Sequence, residues 1–161
     1  METLHIDIET YSDVDLKKFG VYRYADSPNF TILLLAYAVD DGPVQVVDLA
    51  QGERLPKEIM AALTDLNVTK KAYNAQFERV CLDRALSAKT GPWECTMIRA
   101  AMMGLSGSLD HVGKAVGIDP DQRKLETGKN LIRLFCLPRK PSMANGMKKI
   151  FEPRDRPLEW V

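Results

Sequence analysis

The sequence predicts an α/β protein built on a mixed sheet, and three observations carry that expectation. Leu4-His5-Ile6-Asp7-Ile8-Glu9-Thr10 alternates apolar and polar residues around β-branched Ile6 and Ile8, the period of a half-buried strand. A nearly all-apolar run from Phe30 to Val39 meets Asp40-Asp41-Gly42-Pro43 and then Val44 to Leu49, which reads as two strands joined by a hairpin turn. From Pro56 onward helical spacing is interrupted by a single short strand pattern. The order βββ-α-β-α-α-α then sets helices on the faces of a sheet whose first three strands are antiparallel and whose next strand is parallel.

Each element has its own signal. After the first strand, Ser12 or Asp13 is placed to cap a short helical turn through Asp15-Leu16-Lys17-Lys18-Phe19, ended by Gly20. Val21 to Asn29 reads as irregular, with Pro28 as a breaker. The apolar second strand is expected to be central and covered on both faces. Pro56 opens a helix with Ile59, Met60 and Leu63 inward and Leu66-Asn67 closing it. Val68 to Tyr73 is the fourth strand, and Asn74 stands where it ends. Phe77, Val80, Cys81, Ala85 and Leu86 fall at helical spacing over 75–86. Further helices are expected over Trp93 to Met103, over Leu109 to Val116 (capped by Ser108, stopped by Gly117), and over Lys124 to Phe135. The whole reads as one domain over 1–136, followed by an extended tail over 137–161 that holds four prolines and many charges.

Composition narrows the function classes. With 22 basic and 22 acidic side chains, net charge neither favours nor opposes a nucleic-acid partner. The longest apolar run, Ile32 to Val39, is too short to span a bilayer, so no membrane role is expected. Cys81, Cys95 and Cys136 lack any C-x-x-C spacing, which suits a reducing, cytoplasmic setting and small core residues rather than metal ligands.

Two stretches carry chemistry. Period two puts His5, Asp7 and Glu9 on one face of the first strand and Leu4, Ile6 and Ile8 on the other. Two carboxylates on one face repel, and a hard divalent cation relieves that repulsion while accepting substrate phosphate. Asp-x-Glu is common by chance, and the plain alternative is an edge strand whose polar face meets water. The second stretch is Ala72-Tyr73-Asn74-Ala75-Gln76-Phe77-Glu78-Arg79 at a strand-to-helix junction, where Asn74 can cap the helix and Glu78 occupies its first turn. Ligands of α/β sheets collect beyond strand ends, so this junction can face Asp7 and Glu9. An ordinary helix start with Phe77 in the core is the plain alternative here.

Together these stretches resemble the DEDD-type 3′–5′ exonucleases of the ribonuclease-H-like fold, and most closely the N-terminal proofreading domain of phage and prophage family-A DNA polymerases. Asp7-Ile8-Glu9-Thr10 matches the first motif, Asp-x-Glu, and Asn74-Ala75-Gln76-Phe77-Glu78 the second, Asn-x-x-aromatic-Asp, with Glu in place of Asp. Gly20-Val21-Tyr22-Arg23-Tyr24-Ala25, Cys95-Thr96-Met97, Ser108-Leu109-Asp110-His111 and Lys129-Asn130-Leu131-Ile132-Arg133-Leu134-Phe135-Cys136 extend the resemblance along nearly the whole chain. It implies a two-metal phosphodiester hydrolysis with Mg²⁺ or Mn²⁺. Asp7 would bridge both ions, Glu9 would bind the water-activating ion, and Glu78 would support the second. Thr10 and Asn74 would lie beside the terminal nucleotide, with Phe77 against its sugar or base. The implied partners are a single-stranded DNA 3′ end and a C-terminal polymerase domain.

The family's third motif, Tyr-x-x-x-Asp or His-x-x-x-x-Asp, has no match after Glu78: no Tyr follows Tyr73, and Val116 stands five residues after His111. The expectation is therefore a fragment of a longer polymerase, ending before a C-terminal helix, with impaired activity. Asp110 and Asp155 are candidate substitutes, read more simply as a helix cap and a loop charge, and His5 is read as filling a polar niche in the sheet. Arg139, Lys140, Lys148, Lys149, Arg154 and Arg156 give the tail a basic bias that can follow a phosphate backbone. Two further readings stand beside the proofreading one: an RNA-directed exonuclease of the same fold, and a catalytically silent DNA-binding scaffold of a polymerase.

Overall fold

A computed structural model describes residues 1–105, 107–119 and 128–138. Five strands form one sheet in the order β3-β2-β1-β4-β5, with β1 (Thr3–Tyr11) at its centre. β2 (Thr31–Val39) lies antiparallel to β1, and β3 (Gln45–Asp48) antiparallel to β2. β4 (Thr69–Ala72) and β5 (Trp93–Cys95) extend the other side in parallel. This is the mixed sheet the sequence predicts, with one strand more. Trp93 to Cys95 was expected to open a helix; it pairs instead with β4, and the helix α4 is confined to Thr96–Met102.

The alternation of β1 divides the molecule. Leu4, Ile6 and Ile8 are buried in a core shared with Leu35, Tyr37 and Val47 of the sheet and with Ile59, Leu63, Val80, Cys81 and Leu82 of α2 (Lys57–Thr64) and α3 (Gln76–Leu86). His5 and Asp7 are exposed on the opposite face. There Tyr11, Leu33 and Cys136 form a second cluster, with Ile132 and Phe135 of α6 (Gly128–Phe135) packed against it. Two inward residues were misassigned from periodicity: Met60 and Ala85 are exposed, and Ala62 and Leu82 take the buried positions. The neighbouring apolar residue in each helix covers the core more directly, and spacing alone does not choose between them.

α1 (Leu16–Ala25) is longer than expected. Gly20, at φ 76°, breaks the helix as predicted, but helical geometry resumes and buries Tyr24 and Ala25. Its cap is Asp15, whose carboxylate accepts the amides of Lys17 and Lys18, rather than Ser12 or Asp13. Those two are used elsewhere: the Ser12 hydroxyl donates to the Tyr24 carbonyl at 2.9 Å, and Asp13 accepts from Ser27 and Asn29. The hairpin turn at 40–43 forms, and Asp40 Oδ1 accepts the amides of Glu2 and Thr3 at 2.8 Å each, tying that turn to the start of β1. α5 (Leu109–Ala115) is capped by Ser108 and followed by Gly117 at φ 78°, as expected. Residues 124–127 and the tail from 139, with its basic side chains and Asp155, lie outside the described residues.

One buried group departs from every pattern in the sequence. Lys70, on β4, is fully buried, and its Nζ donates to the carbonyls of Asp65 at 2.7 Å, Val68 at 2.9 Å and Gly91 at 2.6 Å. Burial pulls its pKa down, opposed by the charge of Asp65. The ammonium thus pins two connections to the edge of the core. Lys70→Met removes the donor and strands three carbonyls, and should lower the unfolding free energy in urea by about 3 kcal/mol.

Candidate active site

β1 delivers Asp7 and Glu9 to the sheet face away from the main core, as alternation requires. Asp7 pairs in register with Ala36 of β2, whose small side chain leaves the carboxylate open. A cleft of about 200 Å³ forms there, lined by His5, Asp7, Lys71, Tyr73 and Thr96 among others. His5 is therefore exposed on the cleft and not tucked into the sheet. Glu9 is half-buried and accepts the Cys136 thiol on Oε2 at 3.6 Å.

The second stretch sits at the β4–α3 junction. Asn74 takes a left-handed conformation at φ 67°, which Asn adopts more readily than most residues, and its carbonyl accepts the Phe77 amide at 3.0 Å. The structure corrects its expected capping role. The N-cap position is Ala75, and no side chain caps α3. The amides of Asn74 and Ala75, with those of Ile98 and Met97 at the start of α4, are directed at the Cys95 sulfur; burial alone would raise that thiol, and these amides bring it below its usual range.

Glu78, in the first turn of α3, is 4% exposed, and its Oε2 has no hydrogen-bond partner among the described residues. Burial pushes its pKa up to about 7, against a lowering contribution from the backbone, and the negative charge of Asp7 adds to the rise. Burial, and then the Glu78 charge, also push the Cys81 thiol up to about 12. The charge of Asp7, in the middle of β1, thus reaches Glu78 beyond the end of β4. Among the described residues, however, no three His, Cys, Asp or Glu side chains stand close enough together to hold a metal ion. Asp110 is committed to Lys114 at 2.7 Å.

Thr10 and Phe77 meet through a residue that sequence reasoning did not single out. Thr10 Oγ1 and Tyr24 Oη share a buried hydrogen bond of 2.9 Å, and the Tyr24 and Phe77 rings lie 6.0 Å apart. Burial raises the Tyr24 phenol to about 12, so it stays protonated. Lys71, paired with Glu94 at 3.9 Å, and Tyr73, whose hydroxyl donates to the Gly107 carbonyl at 2.9 Å, were also missed. The parity of β4 was the available signal: Lys71 and Tyr73 alternate with buried Lys70 and Ala72. Nothing in the sequence pointed to Cys136, which lies 127 residues from Glu9.

A five-stranded mixed sheet flanked by helices, antiparallel on one side of β1 and parallel on the other, is a ribonuclease-H-like fold. Solved structures agree. Brucella melitensis NrnC with bound Mg²⁺ superposes with a TM-score of 0.57 at 17% identity, covering 78% of this chain and 57% of that one. Escherichia coli RNase D, an exoribonuclease involved in structured RNA processing, gives 0.53 at 15% identity, covering 81% and 30%. No protein-family model matches the sequence. In sequence the chain is similar, along almost its entire length, to the DNA polymerase of Bacillus phage SP02, at 49% identity over 162 residues. That alignment covers 99% of this chain and 25% of the polymerase, so the chain spans a quarter of its relative's length. The chain thus shares its fold with these nucleases and is similar in sequence to a quarter of the phage polymerase.

The Glu78 titration gives a direct check on this geometry. A carboxyl whose pKa rises from 4.5 unfolded to about 7 folded holds its proton longer in the native state. Its contribution is complete below the unfolded value and is lost as pH climbs through the folded one. In EDTA, the unfolding free energy should fall between pH 5 and pH 8 with a limiting slope of about 1.4 kcal/mol per pH unit, and Glu78→Gln should flatten that slope.

Proposed function

We propose that this chain is the 3′–5′ exonuclease domain of a DNA polymerase, hydrolysing 3′-terminal nucleotides of single-stranded DNA with the aid of Mg²⁺ or Mn²⁺. The observation that carries the reading is Glu78: a buried carboxylate oxygen without a partner among the described residues, reached by the charge of Asp7 in a ribonuclease-H-like fold. A buried carboxylate that pairs with no cation among the described residues is suited to a cation from outside. In this reading Asp7, Glu9 and Glu78 would hold the metal, which requires their carboxylates to draw closer together, since no three such side chains among the described residues are grouped for a metal ion. When bound, the ions supply a hydroxide near neutral pH and neutralise charge on the entering and leaving oxygens.

The chain's own groups do the rest. The exposed Asp7 carboxylate is the one a phosphate can reach without rearrangement of the core. Glu9 Oε2 accepts the Cys136 thiol, a weak donor, at 3.6 Å. Phe77, half-buried beside Tyr24, offers an apolar edge for the terminal sugar or base. Thr10 acts indirectly: its hydroxyl is engaged by Tyr24, so it holds the ring that backs Phe77. The left-handed turn at Asn74 leaves that side chain exposed beside the cleft. The similarity to the phage enzyme supports proofreading for an attached polymerase as the role.

RNA is the second reading, favoured by the neighbours: RNase D is an exoribonuclease, and NrnC has been solved bound to pGG. One assay separates the readings. With Mn²⁺ and 5′-labelled single strands, the chain, impaired by its unmatched third motif, should still shorten DNA slowly from its 3′ end, faster than RNA of the same sequence. Asp7→Ala should slow the shortening at least ~10³-fold, by loss of ions that supply several kcal/mol. Faster RNA cleavage would move the assignment to an exoribonuclease. Cleavage of neither, with DNA still bound, would leave a scaffold.

A further inference from the structure

A cleft of about 460 Å³ opens between α1 and α3, larger than the one at Asp7 and on the face of the sheet that carries the main core. Tyr22, Arg23, Asp26, Arg79, Arg84 and Lys89 are among its lining residues. The chain as a whole is balanced at 22 basic and 22 acidic side chains, so four cations here are a local concentration. Two carboxylates offset it in part. Arg84 meets Asp26 at 3.1 Å, and Lys89 meets Asp83 at 3.6 Å while remaining 93% exposed. Asp83 is mainly engaged elsewhere, accepting the amide and hydroxyl of Thr90 at 2.6 Å each. Arg23 and Arg79 make no ion pair among the described residues. Arg23 lies instead over the Phe19 ring, 5.8 Å from its centroid, with Lys18 at 5.1 Å.

Aromatic surface accompanies the charge. Tyr22 is 61% exposed and Phe19 46%, on a helix that buries Tyr24 and Ala25. Packing does not account for Tyr22, since most of its surface meets water. Cations able to follow phosphates, interleaved with exposed rings on which unstacked bases can lie, are the features that bind single strands without reading their sequence. A duplex offers phosphates but keeps its bases stacked, and leaves Tyr22 without a role.

We propose that the α1–α3 cleft is a second contact strip for single-stranded nucleic acid, with Arg23 and Arg79 on backbone phosphates and Tyr22 stacking against a base. The ligand's identity rests on the nuclease reading; the charge and the aromatic surface do not. Arg79 directly follows Glu78 on α3, although the strip and the Asp7 cleft open on opposite faces of the sheet. The strip would hold the strand while its terminus turns over, and act on KM more than on kcat.

The test separates binding from cutting. Fluorescence anisotropy of a short labelled oligothymidylate in EDTA, over a salt series, is measured for the chain, Arg23→Ala/Arg79→Ala, Arg23→Lys/Arg79→Lys, Tyr22→Ala and Tyr22→Phe. Loss of two phosphate contacts should flatten the slope of log affinity against log salt by ~1.4, and loss of a stacked base should weaken binding at least ~5-fold. The Lys pair and Tyr22→Phe should bind nearly as the parent does, and melting curves confirm that each variant is folded. Unchanged affinity and slope in the folded Ala variants overturn the proposal, as a cleft serving an acidic protein surface would give. So does a parent chain that binds no oligonucleotide. Failure of the nuclease reading appears separately, as an absence of Mn²⁺-dependent shortening while binding in EDTA persists.

Discussion

The desolvated carboxyl of Glu78 is the constraint around which the site is arranged. An isolated charge with its solvent removed is costly, and the chain answers with partial measures only: the positive end of α3, one backbone contribution, and the half-retained proton of a group poised near pH 7. A Lys or Arg beside it would have satisfied the oxygen and silenced it. Instead the charge that acts on it is another carboxylate, Asp7, which raises its pKa further. Local destabilisation of this kind is tolerated where a ligand of opposite charge relieves it.

The way β4 treats its two lysines shows how selectively charge is placed. Lys70 turns into the core and gives all three of its protons to backbone carbonyls, so its charge is consumed in joining the loops that flank the sheet edge. Lys71, one residue on, turns to the open face and keeps a loose pair with Glu94, itself shared with Arg99. Neither neutralises Glu78. The same division by parity on β1 keeps Leu4, Ile6 and Ile8 in the core and presents Asp7 to the cleft. Two adjacent parallel strands, read in register from His5 and Lys71, thus build one polar face from residues that sequence order keeps far apart.

What the sequence disclosed follows the range of the forces involved. β1 was legible because period two is a local property, and the hairpin at 40–43 because Asp-Gly-Pro chemistry is local as well. Ser108 and Gly117 bounded α5 for the same reason. β5 was not legible: three residues carry no period, and only pairing with β4 makes them a strand. Asn74 was read as a cap because its residue type suits one, but the turn needed a left-handed residue there more than it needed a side-chain acceptor. The tertiary links of the site, Thr10 to Tyr24 to Phe77 and Glu9 to Cys136, are contacts between distant segments that no spacing rule encodes.

The Glu at position 78, where the resembling motif carries Asp, fits this picture. The extra methylene lengthens the side chain by one carbon, within a buried first turn whose Glu78 lies near the Cys81 thiol one turn on. The carboxylate is then presented from a dry stem toward Asp7, with less water at its base. A shorter Asp would withdraw the oxygens toward the amides of α3, where the helix start would satisfy them and lower the pKa. The longer residue keeps Oε2 unsatisfied and the proton loosely held. If the site exchanges a proton for a metal ion near neutral pH, as proposed, that difference makes Glu a functional choice at this position.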